Sequence, residues 1–179
     1  MSDLRIVPSA ALSAAEWDEL TALCIAAFAE PWDGYWESIG PGRHVIAQDA
    51  SGRIAAHGAI VDRVLYSGEL VVPAAYVEAV AVLPDRQRSG LGSAVMRTIN
   101  DLIDERYQLG ALGTGSQPFY ARLGWEVWRG PTWVRRRDGS RERSADEDGG
   151  IMVRRTRWTP AAVDLDAPIA VDWRPGEVW

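Results

Sequence analysis

Glu78 is the single carboxylate in the apolar run Ala75-Tyr76-Val77-Glu78-Ala79-Val80-Ala81-Val82. A buried, unpaired carboxylate is costly. The run therefore predicts a wet cleft or a hydrogen-bonding partner at that point. Apolar surroundings raise a carboxyl's pKa toward that of a useful general base. The alternative is a solvent-facing strand position. Just downstream lies Gln87-x-x-Gly90-x-Gly92, between a strand-like run ended by Pro84 and an amphipathic segment. Gly90 and Gly92 carry no Cβ, so backbone N–H groups can approach an anion closely. A helix start adds partial positive charge and unpaired donors. Strand, glycine-spaced turn and helix, in that order, suit a pyrophosphate. The Lys-Ser/Thr ending of a nucleotide P-loop and the third glycine of a dinucleotide fingerprint are missing. Alone, the turn reads equally well as a connection that needs positive φ. The third candidate is Tyr120, four residues before Gly124. Its phenol can donate a proton or a hydrogen bond.

The surrounding elements must position these groups. Residues 4–7 read as a first strand. Ser13-Ala14-Ala15-Glu16 is a capping box opening a helix that ends near Pro31. A short second helix holds residues 35–39. Residues 44–48 and 53–66 read as strands joined by a turn, and residues 70–82 as a strand interrupted at Pro73. On this reading Glu78 shares a pleat face with Tyr76, Val80 and Val82. Leu91, Val95, Ile99, Leu102 and Ile103 form one helical stripe. Residues 109–114 make the next strand. Ser116 caps a short helix with Pro118 in its first turn and Gly124 past its end. Residues 125–128, 133–136 and 151–154 are short strands; after Trp158 no periodicity is clear. The strand–helix–strand around Gly90 implies a parallel pair. The hairpins before it are antiparallel, so the expected class is α+β, a mixed sheet flanked by helices.

The 179 residues suit one domain, and a hydrophobic content of 47% suits a globular core. The net charge of −6 argues against nucleic acid as the main partner and permits a cationic ligand. No apolar stretch is long enough to span a membrane, and the N-terminus predicts no secretory signal. Cys24, the one cysteine, allows no intrachain disulfide, which fits a reducing cytoplasm. It sits among apolar neighbours as a core residue. His44 and His57 read as strand residues without metal-ligand spacing. The nine tryptophans include candidates for a cleft wall, although for each one the core is favoured. Asp146-Glu147-Asp148 reads equally as a solvated acidic turn balancing Arg135, Arg136, Arg137, Arg141 and Arg143.

The turn over residues 87–92, followed by Phe119-Tyr120-Ala121-Arg122-Leu123-Gly124-Trp125 after an apolar strand, resembles the coenzyme A loop and FYxxxGF/W element of the GNAT acetyltransferases. Tyr76-Val77-Glu78, Tyr107-Gln108-Leu109-Gly110-Ala111-Leu112, Trp128-Arg129-Gly130-Pro131-Thr132, Asp148-Gly149 and the ending Asp172-Trp173-Arg174-Pro175-Gly176-Glu177-Val178-Trp179 look like the aminoglycoside 2′-N-acetyltransferases. Departures are Tyr35 at a family acidic position and Gly113 where a hydroxyl residue is usual.

The resemblance implies a GNAT fold: a mixed, mostly antiparallel sheet with a central splayed parallel pair and about four helices. One domain would span residues 1–179, its tail from about 159 closing the acceptor site. Acetyl-coenzyme A would be the cosubstrate, with no metal. Val80, Ala81 and Val82 would offer backbone groups to the pantetheine arm and thioester, the Val80 amide serving as oxyanion donor. Gln87, Arg88, Ser89, Gly90, Leu91, Gly92 and Ser93 would cradle the pyrophosphate. Glu78 would take the amine proton, directly or through water, and Tyr120 would protonate or hydrogen-bond the departing thiolate. The acceptor would be a polycationic amino sugar, acetylated at its 2′-amine in antibiotic resistance. Asp33, Glu78, Ala79, Glu147, Glu177 and Trp179 would contact it. A cytoplasmic homodimer binding neither nucleic acid nor membrane completes the expectation. Another small-molecule or protein amine as acceptor, and a binding module without turnover, are the alternatives.

Overall fold

Ser13 and Glu16 close the expected capping box, each side chain bonding the other's backbone N–H. Helix α1 (Ala14–Phe28) therefore starts where predicted, and it ends on Ala29 with φ +57°. The computed structural model describes residues 3–179, Asp3 by its backbone only. These residues group into two compact units. One takes the chain up to Val61 together with Val77–Asp101; the other takes Asp62–Tyr76 and Leu102–Trp179. Strands β3 (Ile54–Ser67) and β4 (Leu70–Val82) and helix α3 (Leu91–Arg106) continue in sequence from one unit into the other.

In the first unit, β1 (Asp3–Pro8) pairs antiparallel with β2 (Gly42–Gln48), and β2 with β3. The Leu83 N–H donates to Ala55 O at 3.0 Å, tying the end of β4 to the start of β3. Leu20, Leu23 and Cys24 of α1 bury against Ile46, Ile54, Ala79 and Ala81. The short α2 (Tyr35–Ile39) adds Tyr35 and Trp36 to that layer. Val95 and Ile99 of α3 lie over Gly58, where Val80 also reaches.

In the second unit the order is β6 (Glu126–Val127), β9 (Ile151–Arg155), β5 (Leu109–Gly113), β4, β3, β10 (Ile169–Asp172), β7 (Thr132–Arg135) and β8 (Arg141–Arg143). β4 and β5 are parallel through Ala74↔Leu109, Ala75↔Gly110 and Tyr76↔Ala111, the pair expected from the strand–helix–strand. β4 is unbroken at Pro73, because the ladder to β5 begins only at Ala74. Helix α4 (Gln117–Ala121) receives no side-chain cap from Ser116; the Ser116 N–H donates instead to Thr114 Oγ1 at 2.9 Å.

Two strands escaped the sequence. β8 is exposed at every residue and carries no apolar signal. β10 has three buried residues in a row, so it shows no alternation. It lies between β3 and β7, antiparallel to one and parallel to the other. The expected tail thus contains an interior strand. Gly130 permits the chain before β10 to approach closely: a Cβ there would stand 1.9 Å from Ala167 O.

Candidate active site

Glu78 lies in the first unit, 6% exposed, and has the partner that an apolar strand demands: Tyr35 Oη donates to its Oε2 at 2.9 Å. Ala79, the next residue, has φ +51°. That left-handed residue breaks the alternation of β4. Glu78 meets Tyr35 in the layer that also takes Ala79 and Ala81, whereas Val80 faces Gly58, Val95 and Ile99. The expected sharing of a face by Glu78 and Val80 is therefore corrected. Asp33 is exposed in the turn before α2; the residue of that segment reaching Glu78 is Tyr35.

Residues 87–90 are exposed. Arg88 and Gly90 take positive φ, +61° and +90°, so the turn doubles back before α3. The Ala94 N–H bonds Gly90 O at 3.0 Å, making Gly90 the cap. Helix geometry then leaves the N–H groups of Gly90, Leu91, Gly92 and Ser93 without intrahelical partners. Arg86 is held by Asp49 at 3.4 Å, and Ser89 Oγ donates to Arg86 O at 2.5 Å.

Behind Glu78 stands a layer of rings that sequence reading did not assemble. Trp32 and Tyr35 have centroids 4.1 Å apart, and Trp36 lies edge-on to His57 at 5.7 Å. His44 pairs with Ala59 and His57 with Ile46, which makes the two histidines diagonal neighbours on one face. His44 Nδ1 and His57 Nε2 are 2.8 Å apart. The far nitrogens meet Ser9 Oγ and Ala79 O, each at 2.9 Å. Burial holds His44 down to about 4; burial and His44 together hold His57 down to about 3.

Both rings are neutral near pH 7, whereas an unfolded histidine titrates near 6.5. As pH falls below that value the unfolded chain takes up protons that the folded chain refuses, so stability is full above about 6.5 and declines toward 4 and 3. For His44 alone the loss reaches about 3 kcal/mol once pH is below its folded value. Thermal melts from pH 7.5 to 4.5 are expected to show a fall of roughly 5–15 °C. A flat profile would contradict the buried neutral pair.

The second unit holds Tyr120, Glu147, Glu177 and Trp179. Tyr120 is 8% exposed, and desolvation pushes its phenol up to about 12 against a lowering hydrogen bond with Thr114. An open cleft of about 580 Å³ is lined by Thr114, Gly115, Gln117, Asp146, Glu147, Asp148, Gly149 and Gly150. The acidic run divides. Asp148 is structural: Arg143 and the backbone and hydroxyl of Thr132 bind it and hold it well below the usual carboxylate range. Glu147 is raised by burial, Glu177 and Asp146, in that order. Trp179 is buried, its indole donating to Ser144 Oγ at 3.0 Å. Arg63 donates to Asp172 O at 2.7 Å and to Val178 O, fixing the ending along the sheet. Cys24 is buried, its thiol pushed up to about 12, which leaves it inert. Among the described residues, no three His, Cys, Asp or Glu are grouped to hold a metal, and no helix is long and apolar enough to cross a membrane.

The structure thus carries a left-handed break beside a strand carboxylate, a glycine turn opening a helix and a parallel β4–β5 pair. Residues 10–128 match the Acetyltransferase (GNAT) domain, and the chain belongs to that family. It is 37% identical over 151 residues to the aminoglycoside 2′-N-acetyltransferase of Mycolicibacterium fortuitum, covering 82% of this chain and 76% of that one. Among solved structures it resembles the GNAT family N-acetyltransferase YhbS of Escherichia coli in complex with CoA (TM-score 0.67, 16% identity, 96% of this chain, 89% of that one). The ribosomal-protein-S18-alanine N-acetyltransferase of Escherichia coli matches with TM-score 0.60 and 20% identity, over 90% of this chain and 99% of that one. An N-acetyltransferase from Kribbella flavida matches with TM-score 0.57 and 24% identity, over 73% of this chain and 34% of that one. The chain therefore spans about a third of that last protein. These likenesses are of fold.

Proposed function

We propose that this chain transfers an acetyl group from acetyl-coenzyme A to the 2′-amine of aminoglycosides. The observation that carries the acceptor class is the electrostatics around Glu147. Its carboxyl is raised by burial and by the like charges of Glu177 and Asp146. The ammonium groups of a polycationic ligand would offset both by favouring the ionised carboxylate. The similarity to the Mycolicibacterium fortuitum enzyme supports the same acceptor. On this reading Glu147, Glu177 and the terminal carboxylate of Trp179 bind ammonium groups, with Asp33, Glu78 and Ala79 as further acceptor contacts.

The turn before α3 suits a pyrophosphate. A Cβ on Gly90 would meet nothing within 4 Å, so its mouth is open, and unpaired N–H groups follow it. Residues 87–93 would hold the pyrophosphate, and the backbone of Val80, Ala81 and Val82 the pantetheine arm. Acetyl-coenzyme A supplies an acetyl group activated as a thioester. Glu78 accepts the proton that the acceptor ammonium must lose before it can attack. The Val80 N–H is the candidate oxyanion donor. Tyr120, with its phenol near 12, stays protonated at working pH. Full proton transfer from it to a thiolate of pKa about 8.5 is uphill, so its role is a hydrogen bond to the leaving sulfur. No side chain carries the acyl group. A cytoplasmic homodimer belongs to the same proposal.

Release of the coenzyme A thiol, measured across aminoglycosides bearing a 2′-amine or a 2′-hydroxyl, tests it. Turnover confined to the 2′-amino compounds is expected. Equal turnover of both sets, or of neither, would overturn the acceptor assignment.

A further inference from the structure

The chain of bonds from Ser9 through His44 and His57 ends on the Ala79 carbonyl, between the candidate base and Val80. Its proton placement follows from its carbonyl end. A carbonyl only accepts, so His57 Nδ1–H donates to Ala79 O at 2.9 Å. The neutral ring then has its lone pair at Nε2, which accepts His44 Nδ1–H across 2.8 Å. His44 Nε2 accepts the Ser9 hydroxyl at 2.9 Å, and Ser9 Oγ accepts the Gly42 N–H at 2.8 Å. The Ser9 hydroxyl also lies within reach of Gly42 O, at the longer distance of 3.2 Å. The reverse assignment would set a His57 lone pair against the carbonyl oxygen in a site with no exposure. The far end is closely packed on β3: a Cβ on Gly42 would stand 2.4 Å from Ile60 O.

Ala79 needs such support. An L-residue in the left-handed region costs about 1–2 kcal/mol and persists only where its surroundings over-determine it. The bend at Ala79 sets Glu78 toward Tyr35 and turns Val80 to the other face. We propose that His57, fixed in one tautomer by His44 and Ser9, is a positioning residue of the transfer: it holds the Ala79 carbonyl and so the bend that aims the Glu78 carboxylate and the Val80 N–H. This rests on the reading of Glu78 as the base. The histidines move no proton, since their chain ends on a carbonyl that cannot pass one on.

Two measurements on the full chain test it. Long-range ¹H–¹⁵N NMR at pH 7 is expected to show both rings neutral with hydrogen on Nδ1; hydrogen on His57 Nε2 would overturn the proposal. His57→Phe removes the donor and keeps a ring. Its kcat is expected to fall about 10–100-fold while KM for acetyl-coenzyme A changes less than about threefold. His57→Asn, whose amide N–H can stand where Nδ1–H stood, is expected to recover at least about tenfold of that loss. A folded His57→Phe with unchanged kcat, or an Asn variant with no recovery, would overturn it. Should His57→Phe not fold, the tautomers and the Asn variant still decide. Unchanged rate in His57→Phe beside an inactive Glu78→Gln sinks the positioning role alone; full rate in Glu78→Gln sinks the base reading beneath it.

Discussion

Glu78→Gln is expected to lower kcat about 10²–10³-fold, the usual worth of a positioned general base. The change is nearly isosteric, and the amide oxygen still accepts the Tyr35 hydroxyl that now bonds Oε2 at 2.9 Å. Fold and coenzyme A affinity should therefore survive. What is lost is a group able to take the amine proton. The rate should then rise with pH as free amine accumulates. Stopped-flow or thiol-release kinetics from pH 5.5 to 9.5 check this. A variant with full rate at every pH would remove Glu78 from the chemistry. Tyr35→Phe separates orientation from basicity, because it leaves the carboxylate in place without that partner.

The second large effect is electrostatic. Glu147→Gln combined with Glu177→Gln is expected to raise KM for a polycationic aminoglycoside about 30–150-fold, each lost ammonium contact being worth about 1–1.5 kcal/mol. KM for acetyl-coenzyme A should hardly move. Glu147 is part-buried and already strained by Glu177 and Asp146, so the double variant should fold at least as well as the parent. Asp148 must be left intact, since it ties Arg143 and Thr132 together. Steady-state kinetics at two salt concentrations check the result: the salt dependence of KM should flatten in the variant. An unchanged KM with a retained salt response would place the ammonium groups elsewhere.

Local chemistry made much of this protein legible. Ser13 and Glu16 announce α1 because a capping box needs only neighbours three residues apart. The glycine turn, the stripe of α3 and the parallel β4–β5 pair follow from short-range spacing and strand order. Glu78 stood out because a lone carboxylate in an apolar strand demands a partner. The family was legible in the same segments, since they carry its backbone geometry.

The partner itself was not legible. Tyr35 reaches Glu78 from 43 residues away, and only folding decides which polar tip meets a buried charge. The same holds for His44 and His57, whose types suggested plain strand positions until register made them diagonal neighbours. Ala79 shows the limit most clearly: nothing in an alanine signals positive φ. Sequence by itself settled most of the elements and the family, and it nominated the candidate reactive side chains, because these depend on interactions within a few residues. The bend at Ala79, the division of the acidic run between Asp148 and Glu147, and the interior place of β10 were decided by tertiary structure. Each depends on which distant group supplies a hydrogen bond, a counter-charge or a neighbouring strand.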